Sequence, residues 1–256
     1  MGSIKDELRA RLEKLGISAE EFDAKIAERK QARESPERLE AEQRAATAHL
    51  ETAPRYDRAD VLTLSEAKEI LRSVPALPDN PKVEGVFDPE TMLLPSVQRI
   101  RGPVTLDELH LPAEGSNLFV EGSLTVEGII AQDFRAGGLL VLGDLKARHI
   151  VTCAAIACTG DLTVSGALFG NCTNYGTNVW GRARAKVLVS AKEHIFSFWG
   201  GHDIEMMIDV YGDTPNLEGH HYTEETMHEV LHPDFGDGFD ERQVLALLRR
   251  LDTVLC

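Results

Sequence analysis

Apolar and polar positions alternate through the middle of the chain, and a glycine resets the alternation each time. The glycines are Gly102, Gly122, Gly143, Gly160 and Gly181, spaced 20, 21, 17 and 21 residues apart. Two and four residues past each stand Val104 and Leu106, Leu124 and Val126, Leu145 and Ala147, Leu162 and Val164, and Ala183 and Ala185. Seven past come Leu109, Ile129, Ile150, Ala167 and Leu188, and two before come Ile100, Val120, Val141, Cys158 and Val179. A period near 20 with alternating inward positions is what stacked coils require, because each coil buries its apolar row only against its neighbours. The glycine falls where two short strand arms must bend. A leucine-rich ladder shares the period, but its asparagine and its L-x-x-L-x-L order are absent. The expected fold is therefore mainly β: a short parallel β-solenoid of about five coils, with a helical N-terminal extension and an α-helical C-terminal cap.

The flanks follow other periods. Ile4, Leu8, Leu12 and Leu15 recur at helical spacing, and Ser18 with Glu21 fits a capping box for a second helix. Residues 1–60 thus form a helical extension with a thin apolar stripe. It lies on the surface, pairs as a hairpin, or serves as an arm for dimerisation or for binding a partner. Residues 61–96 are a lead-in, with Thr63 and Glu66 starting a short helix that carries Ala67, Ile70, Leu71 and Val74. The solenoid takes residues 97–190, and residues 191–256 form the cap. In the cap, Thr223 to Leu231 has a helix start and acids in its first turn, and Pro233 stops it. Asp240 caps a final amphipathic helix running to Leu251. Solenoid ends expose unpaired strand edges, so both flanks have a covering duty.

Charge narrows the partners. With 27 Lys and Arg against 42 Asp and Glu, the net charge is −15, which argues against nucleic acid and anionic membrane surfaces. Met1 to Leu15 is too charged for a secretory signal, and no run has the apolar density of a membrane span. The four cysteines are too few and too irregular for a disulfide framework, so a cytoplasmic protein with reduced thiols is expected. Cys158 holds an inward position and reads as a small core residue.

From Glu193 to Glu241 there are 13 acids and no Lys or Arg, with aromatic residues interleaved. Such a segment steers a basic partner, and aromatics among charges anchor interfaces. The contacts expected of this face are Trp199, His202, Asp203, Glu205, Asp209, Tyr211, Asp213 and Glu218. The alternative is a solvated acidic surface. Six of the nine histidines lie in the same part, and His228, Glu229 and His232 match H-E-x-x-H. Pro233 disfavours helical geometry at His232, and no histidine downstream supplies a third ligand. Surface histidines are the preferred reading, and a metalloenzyme stays an alternative. C-x-x-C, P-loop, dinucleotide and G-x-S-x-G signatures are absent, so no cofactor and no enzyme activity are expected.

The run GDLKARHIVTCAAIACTGDLTVSGALFG (Gly143 to Gly170) resembles the coils of bactofilin-like, polymer-forming β-solenoids. DVYGDTPNLEG (Asp209 to Gly219) with LHPDF (Leu231 to Phe235) resembles the tail of a bacterial solenoid family associated with polymorphic toxin systems. That resemblance implies an immunity protein, which binds a cognate toxin, basic by charge complementarity, and occludes it. A self-assembling bactofilin-type structural protein is the rival implication.

Overall fold

The structure is a computed structural model of the chain. It describes Tyr56, 59–72, Leu94, 96–173, 175–209, Leu217, 221–223, 226–235 and 240–255, together with Ala24, Glu40, Ala41 and Arg44. The chain divides into two compact units, Met1–Ala45 and Ala46–Cys256. In the first, the four described residues are helical and exposed. The remaining N-terminal helical expectations lie outside the described residues.

Among the described residues, the first elements of the second unit are strand β1 (Asp60–Thr63) and helix α1 (Leu64–Arg72), and the chain then winds into coils. Six coils follow one another. The first joins β2 (Ser96–Arg101) to β3 (Val104–Leu106) and β4 (Leu109–Leu111). The second joins β5 (Asn117–Glu121) to β6 (Leu124–Gln132), and the third joins β7 (Leu139–Val141) to β8 (Leu145–Thr152). The fourth is β9 (Ile156–Cys158) with β10 (Leu162–Asn171), and the fifth β11 (Gly176–Val179) with β12 (Ala183–Ala191). The sixth, β13 (Ile195–Phe198) with β14 (His202–Asp209), lies beyond the five glycine-marked coils expected from the repeat. β15 (His221–Tyr222) and helix α2 (Glu241–Leu251) end the unit.

The first arms stack into a seven-stranded sheet in the order β1-β2-β5-β7-β9-β11-β13, and the second arms into an eight-stranded sheet, β15-β14-β12-β10-β8-β6-β3, with β4 also paired to β6. Every pairing between these described strands is parallel except β1 on β2. The interior between the sheets is built from the rows seen in the sequence. Leu124, Leu145, Leu162 and Ala183 stand in register, as do Val126, Ala147, Val164 and Ala185. All eight are buried in one cluster with Val120, Val141, Cys158 and Val179.

The row seven past each glycine splits. Leu109, Ile150 and Leu188 point inward, but Ile129 and Ala167 belong to the opposite, outer cluster. Their coils hold one extra residue, and the register shifts between Val126 and Ile129 and between Val164 and Ala167. With a side-chain period of two, one inserted residue turns the following positions over, so Ile130 and Leu168 take the inward places.

Both outer faces are covered. Leu64, Ala67 and Leu71 of α1 cluster with Phe119, Leu140 and Ala157 of the seven-stranded sheet and with Trp180 just past the end of β11. Val244, Leu247 and Leu248 of α2 cluster with Ile129, Val151, Phe169, Val189 and Ile208 of the other. This double cover explains why strand residues on both faces are apolar. The helix starts match their sequence signals. Glu66 N–H donates to Thr63 Oγ1 (3.2 Å) while Thr63 N–H donates to Glu66 Oε2 (2.8 Å), and Arg242 N–H donates to Asp240 Oδ1 (2.8 Å). The helix expected from Thr223 to Leu231 is otherwise: its described residues hold a 3-10 turn, Met227–Glu229, and Leu231 leaves it to bridge Leu255.

Candidate functional site

The sixth coil carries the described members of the expected docking face. Gly200 and Gly201 turn the chain between β13 and β14, with Gly201 in the left-handed region at φ 83°. Trp199 precedes this turn and His202 follows it. Trp199 continues a row whose previous member is Trp180, since Val179 and Phe198 are in register. Trp180 is 4% exposed beneath the α1 cluster, whereas Trp199 is 41% exposed. On β14, Asp203 and Glu205 are exposed, alternating with the inward Ile204 and Met207. His202 is half-buried, its ring 6.3 Å from that of Phe198. Ile195, at the opposite end of β13, adds a second exposed apolar side chain.

Asp209 is placed differently. It is buried, in register with Ser190 at the inner corner where β12 and β14 end, so the surface formed by Asp203 and Glu205 does not include it. Tyr211, Asp213 and Glu218 lie outside the described residues. Leu217 is buried in the interior cluster with Phe196, Phe198 and Met207.

The H-E-x-x-H match does not lie on an α-helix. Glu229 ends the 3-10 turn, and His232 Nδ1 accepts a hydrogen bond from the Asp234 N–H (3.1 Å). No group of three or more His, Cys, Asp or Glu side chains among the described residues is placed to hold a metal ion. His194 is fully buried, with Nε2 3.1 Å from Thr177 Oγ1 and its ring 4.8 Å from that of Phe196. Burial pushes its pKa down to about 3. Cys153, Cys158 and Cys172 are free and buried, and desolvation raises all three thiols.

One constellation is invisible to a reading by segments. Counted from the glycine of each coil, the third and fifth positions face outward on the eight-stranded sheet. They are Lys146 and Arg148 in the third coil, Thr163 and Ser165 in the fourth, Arg184 and Lys186 in the fifth, and Asp203 and Glu205 in the sixth. Aligning the coils on their glycines brings this pattern out of the sequence.

No family model, curated protein or solved structure matches the chain. No helix among the described residues is long and apolar enough to cross a membrane.

Proposed function

We propose that this chain is a non-enzymatic binding protein that docks a basic partner protein against its sixth coil. Neutralising a cognate toxin by occlusion is the role implied by the resemblance of its coils and tail. The observation that carries the reading is the exposed Trp199 beside the Gly200-Gly201 turn, on the same coil as the exposed Asp203 and Glu205. A tryptophan ringed by charge is the arrangement that anchors protein interfaces, and like-signed charges around it speed the approach of an oppositely charged partner. A coil fixed by strand pairing also has little conformational freedom left to lose on binding.

Affinity capture from cells that express the neighbouring genes tests the reading, with wild type, Trp199→Ala and Asp203→Lys/Glu205→Lys as parallel baits. The expected result is a basic protein retained by wild type alone. In binding kinetics, Trp199→Ala weakens that complex by about 2 kcal/mol or more, roughly thirtyfold. The double reversal slows association and reduces its salt dependence. Equal capture by all three baits would remove the sixth coil from the interface.

A further inference from the structure

The outer face of the eight-stranded sheet carries a cluster of four exposed cations, Lys146 and Arg148 on β8 and Arg184 and Lys186 on β12. Between them β10 presents Thr163, which is in register with Lys146 on one side and Arg184 on the other. In a chain with 42 acids against 27 bases this is a local reversal of sign. Asp161 pairs with Arg184 and Asp252 with Arg148, and the next acids across the sheet are Glu127 on β6 and Asp203 and Glu205 on β14, one strand further out in each direction.

A recess of about 130 Å³ lies within the cluster, walled by Arg148, His149, Ser165, Lys186, Asp252 and Thr253. It sits at the extra residue of the fourth coil, where the register of β10 skips Ser165 and Gly166 against β12. The wall opposite is fixed. His149 is 2% exposed, and its Nδ1 accepts the Ala167 N–H (3.0 Å), so Nε2–H donates to Asp252 Oδ1 (2.8 Å). Arg148 donates to the other oxygen, Asp252 Oδ2. Gly166 is required at this point, since a Cβ would stand 2.3 Å from His149 Cε1. Asp252 is thus committed to Arg148 and His149, and Arg184 is committed to Asp161 (2.9 Å). The side chains of Lys186 and Ser165 make no hydrogen bond or ion pair with any described residue. Two cations against one carboxylate leave the lining with one net positive charge.

We propose that this recess binds a phosphate-type oxyanion, with the Lys186 ammonium supplying the charge, the Ser165 hydroxyl donating a hydrogen bond, and Arg148 shared between Asp252 and the ligand. Lysine and arginine are the side chains suited to phosphate oxygens, the first as a point charge and the second as a fork of donors. The recess is small, and its lining combines cationic and hydroxyl donors, which suits a single tetrahedral ion. A nucleotide-sized ligand needs several hundred Å³. The site is independent of docking at the sixth coil, and either assignment stands if the other fails.

The test is titration of the full chain with inorganic phosphate at constant ionic strength, balanced with chloride, followed by calorimetry and thermal melting. Wild type should bind saturably and melt higher as phosphate rises. Lys186→Gln should weaken binding at least tenfold and Ser165→Ala severalfold, while Lys146→Gln, outside the recess, leaves it unchanged. All three side chains are exposed or lack partners, so the variants should melt like wild type without phosphate. Phosphate no more effective than chloride would overturn the assignment. So would equal losses in Lys186→Gln and Lys146→Gln, which would mean a diffuse cloud of charge with no site.

Discussion

Each glycine that bends a coil lies directly over its counterpart in the coil before. A Cβ on Gly143 would stand 2.9 Å from the Gly122 carbonyl carbon, one on Gly160 2.7 Å from that of Gly143, and one on Gly181 2.5 Å from that of Gly160. Gly200 continues the column at 2.5 Å from Gly181. Contact with the neighbouring coil, as much as bending, therefore demands glycine here. Gly181→Ala would press on the Gly160 backbone at 2.5 Å and on Asp161 Oδ1 at 2.6 Å, and should destabilise the fold by about 1–3 kcal/mol, read as a lower denaturant midpoint at unchanged slope. The residues that follow the glycines form a second ladder. Ser123 Oγ accepts from the Asp144 N–H (3.2 Å), Asp144 Oδ1 from the Asp161 N–H (2.9 Å), and Asp161 Oδ1 from the Arg182 N–H (2.8 Å). The Arg182 amide, and after it Arg184, hold the Asp161 carboxyl below the usual carboxylate range. His194 sets a different pH dependence. Its imidazole titrates at about 3 when folded against 6.5 ordinarily, so below pH 6.5 the unfolded chain takes up a proton that the folded chain refuses. Its stabilising effect is complete above 6.5 and declines by about 1.4 kcal/mol per pH unit beneath it, until the folded value is reached. Urea midpoints of His194→Gln between pH 7 and 4 should fall less steeply than those of wild type. Parallel curves would rule His194 out as the cause.

At the scale of elements, the N-terminal edge of the seven-stranded sheet is closed by β1, the one antiparallel strand in a parallel stack. Asp60 fastens it, accepting from Arg99 Nη2 and Arg101 Nε at 3.0 Å each. End-to-end stacking of coils, the assembly a bactofilin-type resemblance implies, needs that edge open. The chain should therefore show no concentration-dependent filaments in light scattering or electron microscopy. Asp60→Lys, which places a cation against Arg99 and Arg101, should loosen β1 and raise scattering with concentration. Filaments from wild type would contradict the closed edge. The two outer helices were legible in the sequence because a cap residue and an apolar stripe coincide in each, Thr63 with Ala67 and Leu71, and Asp240 with Val244 and Leu247. Thr223 has an equally good start signal, but the Leu231–Leu255 bridge takes the chain out of the turn, and such a long-range pairing leaves no local trace.

For the whole second unit, the solenoid class and its inward rows could be read from alternation alone, because every coil repeats the same burial problem. Its extent could not. The sixth coil places Phe196 and Phe198 where the fifth has Thr177 and Val179, and the spacing of Ile204, Met207 and Ile208 suits a helix as well as a strand. Closing the interior with larger side chains at its last coil is what hid the repeat. The acidic segment was legible as charge, and its Trp199, Asp203 and Glu205 are exposed. Asp209 was misplaced because an acidic segment does not say which of its carboxylates the corner of a coil will enclose. The cationic cluster was missed for the opposite reason: Arg148 and Lys186 are far apart in sequence and become neighbours only through register.

The glycine column makes the surface of this protein a ruled scale. Adjacent strands stand about 4.8 Å apart, so outward side chains can be separated along the stack only in whole multiples of that step. Lys186 and Glu205 are one division apart, Arg148 and Lys186 two. Duplicating or excising one complete coil would slide every later mark by a single division and leave its row unchanged. Binding features on such a scaffold are tuned in length by counting, whereas their chemistry is tuned by substitution within a row.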